Sequence, residues 1–124
     1  MPGVVIKIQG LNKLRGNFEA SPRLIDGALK RAVKTSVNFI RPIMRKESPV
    51  DTGALRRNTY AMAKGFYGEV APNLEVTPYA LFVHEGTRFI KPNPFIIRTG
   101  KLVEAPVQKI FANTLNRIVK KIAI

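Results

Sequence analysis

The chain has 124 residues, 45% of them hydrophobic and dispersed, which suits one globular domain and excludes a disordered tail. It has no cysteine, so disulfides and thiolate metal sites are excluded, and its apolar runs are too short to span a membrane. Twenty-one Lys and Arg against eight Asp and Glu give a net charge of +13, a field that favours polyanions or acidic protein surfaces as neighbours.

Met1-Pro-Gly-Val-Val-Ile-Lys-Ile8 lacks the basic start and long apolar region of a signal peptide, so folding in a cytoplasm is expected. Val4 to Gln9 is β-branched and partly alternating, closed by Gly10, and predicts a first strand. Leu11, Leu14 and Phe18 then recur at helical spacing. Ser21-Pro22 reads as an N-cap followed by proline at the first helical position. From there to about Lys46, Ile25, Leu29, Ala32, Val33, Ser36, Ile40, Ile43 and Met44 share an arc of about 120° at the helical period. Arg23, Lys30, Lys34, Arg41 and Arg45 form a basic stripe on the opposite side, a candidate contact for DNA or an acidic partner. Pro42 removes a backbone donor and is expected to kink or split this helix near Asn38.

Pro49 ends the helix, and Pro49, Asp51, Thr52 and Gly53 make the following turn. Leu55 to Lys64 has strand-like content, and Gly65 and Gly68 around Phe66-Tyr67 predict a hairpin into Glu69-Val70-Ala71. Tyr79 to His84 is too short for periodicity to decide between helix and strand. Pro92-Asn-Pro94 predicts an extended path into Phe95-Ile96-Ile97. Leu102, Val103, Val107, Ile110, Phe111, Leu115, Ile118 and Ile122 predict a C-terminal amphipathic helix, with Pro106 in or near its first turn. The fold class is therefore α+β: one domain over 1–124, a small antiparallel sheet (N-terminal strand plus hairpin) against two long helices.

Asp51-Thr52-Gly53 followed by Ala54 matches the signature of aspartic proteases, which pair two carboxylates on loops braced by buried strands. Here the triplet follows the polar Arg45-Lys-Glu-Ser-Pro and precedes Arg56-Arg57, with no glycine-rich flap and two long helices, so the context argues against a dimeric protease. His84 is the only histidine, so one chain cannot build a histidine metal cluster. The glycines lack phosphate-loop or dinucleotide spacing. Arg56, Arg57, Arg88, Lys91 and Arg98 could meet an anion, but cations of this kind commonly form a solvated face or an interface. No catalytic set, cofactor site or metal site is expected.

Four stretches taken in order are more specific than any of them alone. Ser48-Pro-Val-Asp-Thr-Gly-Ala-Leu-Arg56, Tyr79-Ala80, Val83-His-Glu-Gly-Thr87 and Pro92-Asn-Pro-Phe95 with Arg98 resemble the small tail-component family of lambda-like tailed bacteriophages. His84 stands where that family usually has Glu, and Ile96-Ile-Arg-Thr-Gly100 replaces its usual Leu-Arg-Pro-Ala. The resemblance covers nearly the whole chain. It implies a virion structural protein rather than an enzyme, one that completes the tail at the head–tail junction and forms a ring around the DNA channel. Its implied partners are further copies of itself (six, with twelve the alternative), neighbouring neck proteins such as the connector adaptor and the tail terminator or tail tube, and packaged DNA by non-specific contact. Its implied place is the virion neck, assembled in the host cytoplasm and away from membranes. Gly86, Thr87, Arg88, Pro92, Pro94 and Phe95 are the candidate arm toward an adjacent subunit. A general DNA-binding protein is the competing reading of the charge.

Overall fold

The structure, a computed structural model, describes residues 3–8, 22–49, 53–88 and 91–122. The expected helical spacing of Leu11, Leu14 and Phe18, the Ser21 cap and the turn residues Asp51 and Thr52 lie outside the described residues. Seven elements follow in order: strand β1 (Val4–Lys7), helix α1 (Pro22–Glu47), the single turn α2 (Ala54–Arg57), strands β2 (Thr59–Lys64) and β3 (Tyr67–Pro72), the short helix α3 (Ala80–Glu85) and helix α4 (Phe95–Ile122).

The three strands are antiparallel in the order β1-β3-β2, with Val4 opposite Val70 and Ala61 opposite Val70 from the other side. Side chains alternate across a strand, so Val4, Ile6, Ala61 and Val70 share the face that packs on the helices. Gly68 lies on the same face, where a Cβ would come within 2.7 Å of Val37 and 2.9 Å of Val33, so glycine lets α1 sit close on β3.

The periodicity of α1 reads through to burial. Ile25, Leu29, Ala32, Val33, Ser36, Ile40 and Met44 are buried, joined by Ala28 and Val37, and Ile43 is half-buried. α4 packs along α1, and the core divides into two clusters along the pair. The larger joins Val37, Ile40 and Met44 of α1 to Leu55, Val70, Ala80, Phe95, Ile96 and Val103. The smaller joins Ile25, Ala28 and Leu29 to Ile118, with Leu24, Phe66, Phe111 and Leu115 packed against it. The helices are therefore antiparallel, the start of α4 beside the end of α1.

Three local expectations are corrected, and one pair of alternatives at Pro42 is narrowed. Of the two outcomes expected at Pro42, the split is excluded: Pro42 is exposed and interior to a continuous α1, and buried Ile40 and Met44 on either side hold that turn to the core. Residues 54–57 form a helical turn rather than strand, closed by Arg57 N–H to Gly53 O and Asn58 N–H to Ala54 O, each at 3.0 Å. Phe95–Ile97 is helical rather than extended. Arg98 N–H already reaches Pro94 O at 3.0 Å, and proline is tolerated where a helix begins because its missing donor is not needed there. α4 thus begins ahead of Leu102, and Pro106 is its twelfth residue rather than part of its first turn. There the burial of Val103 offsets the lost hydrogen bond. Tyr79 to His84, which the sequence left open, is the helix α3 after Tyr79.

Candidate functional site

A helix ends with four carbonyls that have no partner within it. At the end of α1 they are covered by residues from three other parts of the chain. Met44 O accepts both the backbone N–H of Ser48 at 2.9 Å and its hydroxyl at 2.7 Å. Lys46 O accepts Arg56 Nη2 at 3.1 Å, while Arg56 Nε reaches Ser48 O at 3.1 Å. Glu47 O accepts Arg98 Nη2 at 3.2 Å, and Arg98 Nε pairs with the Glu47 carboxylate at 3.1 Å. Two guanidinium groups thus close the negative end of one helix, favourable by charge as well as by hydrogen bonding.

The same corner fixes the loops. Arg41 Nε donates to Thr59 O and Arg45 Nε to Arg56 O, each at 2.9 Å, tying α1 to α2 and the start of β2. Thr59 and Thr77 are buried with their hydroxyls on Leu55 O and Asn73 O. Asn73 N–H reaches Asn58 O at 2.8 Å, so the chain leaving β3 returns to the turn before β2. His84 is buried, its ring edge-on to Phe95 at 5.6 Å, with Nδ1 at 3.1 Å from the exposed carboxylate of Glu85. Its Nε2 is buried without a hydrogen-bond partner, which suits the tautomer with the proton on Nδ1.

The segments singled out in the sequence therefore converge, although they lie up to fifty residues apart. Leu55 and Arg56, Ala80, Val83 and His84, and Phe95 and Arg98 all meet at this one corner. Gly53 carries a φ of +80°, in the left-handed region. Gly86 does too, and a Cβ there would lie 2.6 Å from Pro92 Cγ.

That contact reshapes the candidate arm. Gly86 and Pro92 close its base together, and Asn93 N–H bonds Val83 O at 3.0 Å. Phe95 is fully buried and belongs to the core, so it cannot be a subunit contact. Thr87, Arg88, Pro92 and Pro94 are exposed.

The basic stripe also divides. Arg23, Lys30 and Lys34 are exposed, and Lys30 lies 5.3 Å from the Phe66 ring, within cation–π range. Arg41 and Arg45 are half-buried and turned onto backbone carbonyls, a use that helical periodicity cannot reveal. Sequence reasoning likewise missed the capping by Arg56 and Arg98. The only signal was an arginine soon after a helix-ending Ser-Pro.

What the corner presents outward is apolar. Within α3, Ala80 and His84 point into the core, which leaves Leu81, Phe82 and Glu85 on the outer face beside Tyr79 and Val76. Phe82 keeps 60% of its surface exposed and Val76 55%. No group of three or more metal-ligating side chains and no helix long and apolar enough to cross a membrane occurs among the described residues. The corner can hold a shape and offer an apolar contact. No protein-family model, curated protein or solved structure matches the chain.

Proposed function

We propose that this chain is a virion structural protein, a subunit of a ring at the head–tail junction of a tailed phage, where it joins the tail to the DNA-filled head. One observation carries the reading. The stretches that resemble the small tail-component family are the ones that build the corner, and that corner displays an apolar surface over Val76, Tyr79, Leu81 and Phe82. Residues spent on capping a helix and pinning loops suit an assembly part that must present a fixed surface. Four exposed apolar side chains within seven residues suit a contact with another protein surface. The +13 charge suits a ring whose channel carries DNA, held by non-specific attraction.

Imaging the necks of assembled particles, together with particles made without the chain, tests the proposal. The expected result is a closed ring of six copies at the junction, and full heads with unattached tails when the chain is missing. Normal joining without it would refute the reading. The exposed Arg23, Lys30 and Lys34 favour the second reading, general DNA binding. It requires steeply salt-dependent binding to duplex DNA that weakens when those three are neutralised.

A further inference from the structure

The apolar corner has a counterpart at the other end of the helix pair. Between the first half of α1 and the last turns of α4 lies a groove of about 640 Å³. Leu24, Ala28, Ala32, Ile110 and Ile118 give it an apolar lining. Arg31, Arg117 and Lys120 stand exposed along it, and no acidic residue is among the described residues that line it. It lies about 25 Å along α1 from the corner, at 1.5 Å per residue.

The corner has the opposite character. Residues 65–87 contain no Lys or Arg, the longest such stretch in a chain of net charge +13, and they hold Glu69, Glu75 and Glu85. Glu75 and Glu85 are exposed, and along the chain they bracket Val76, Tyr79, Leu81 and Phe82. At 100° per residue, Leu81, Glu85, Phe82 and Tyr79 follow one another around the exposed side of the short helix, so apolar bulk and negative charge form one knob.

We propose that the knob of one copy, centred on Phe82, docks in the groove of a second copy, with Glu75 and Glu85 facing Arg31, Arg117 and Lys120. The occupant follows from complementarity: the groove offers an apolar floor under positive charge, and the knob is the described surface that offers apolar side chains between negative ones. The contact joins two different surfaces of the chain, and the proposed arrangement is head-to-tail rather than a reciprocal pair. Each copy keeps one free knob and one free groove, so copies add in series until the rotation closes a ring. The contact deepens the ring reading and rests on it for closure alone.

Phe82 and Arg117 are both exposed, so each can be changed without touching the core. Phe82→Glu spoils the knob and leaves the groove, and Arg117→Glu does the reverse. Sedimentation of the full chain at rising concentration is expected to show self-association by the wild type, weakened about tenfold or more in each variant. Equal denaturation midpoints would confirm that both variants still fold. An equimolar mixture of the two keeps one intact knob and one intact groove per pair, so it should form dimers that do not grow. A wild type that stays monomeric, an Arg117→Glu chain that associates like the wild type, or a mixture that remains monomeric would overturn the contact. If Arg117→Glu loses only binding to duplex DNA, the groove serves a phosphate backbone and the proposal also fails. Rings at the neck built normally by both variants would reject this contact and leave the ring reading standing, whereas particles that join tails without the chain would reject that reading.

Discussion

The two ends of the helix pair use the same kinds of residue for different work. Where α1 ends, Met44, Leu55, Ala80 and Phe95 are sealed beneath loops, and Arg41, Arg45, Arg56 and Arg98 are turned onto carbonyls that the helix or the chain around it leaves open. Where α4 ends, Ile25, Leu29 and Ile118 are buried beside an open groove, and Arg31, Arg117 and Lys120 stand in solvent. Net charge counts both sets alike. Only the second set is free for direct contact with a polyanion or an acidic surface, while both sets keep their charge and add to the long-range field of a chain of net charge +13.

Truncating one buried side chain at each end breaks the comparison most strongly. Phe95→Ala removes a fully buried ring that packs on His84, and should cost about 3–5 kcal/mol. Ile118→Ala should cost about 2 kcal/mol, near the lower limit for such changes, because one side of the site already opens on the groove. Denaturant midpoints at an unchanged slope would measure both. Equal losses would mean that the groove end is as tightly packed as the corner.

The arginines give the next contrast. Arg56→Gln strips the guanidinium from Lys46 O and Ser48 O at the end of α1, and a loss of about 1.5–2 kcal/mol is expected for charged hydrogen bonds of this kind. Arg117→Gln should change stability by less than about 0.5 kcal/mol, as exposed substitutions do. Thermal unfolding at low and high salt would separate them further. The Arg56 loss should persist at high salt, because short-range hydrogen bonds are screened less than exposed charges.

Much of this contrast was out of reach of the sequence, for physical reasons. The core face of α1 was legible because eight apolar or small residues repeat at its period over 26 residues, and packing honours that period. Pro106 misled because a local cost was weighed without the tertiary contacts that outweigh it. Ala54–Arg57 and Ala80–Glu85 are too short to display a period at all. The segments of the corner were legible as a pattern along the chain, but their meeting place was not. Arg98 finds Glu47 across 51 residues, and nothing in the spacing announces that pairing. The Arg41 and Arg45 stripe shows the same limit, because periodicity places a side chain on a face without saying what it bonds.

The hairpin offers the finest test, since it runs from the corner, where Arg41 holds Thr59, to the groove end, where Phe66 packs on the cluster of Ile25, Ala28, Leu29 and Ile118. Tyr60 lies at its corner side and donates its hydroxyl to Glu69 Oε2 at 3.1 Å, across the pair of strands. Partial burial raises its pKa above the ordinary phenol value, and the hydrogen bond to Glu69 and that carboxylate's charge push the same way. A raised folded-state pKa means that the neutral phenol is favoured by folding. Its contribution is therefore complete below the unfolded value of about 10 and is lost as pH rises through the folded value. Tyr60→Phe should accordingly cost about 0.5–1 kcal/mol at neutral pH, the size of one half-exposed hydrogen bond. The gap between wild type and variant should shrink as the solution is taken above pH of about 10, and denaturation midpoints measured across that range would show it. A gap that holds constant would assign the Tyr60 contribution to ring packing and remove the hydroxyl bond from the corner's clamps.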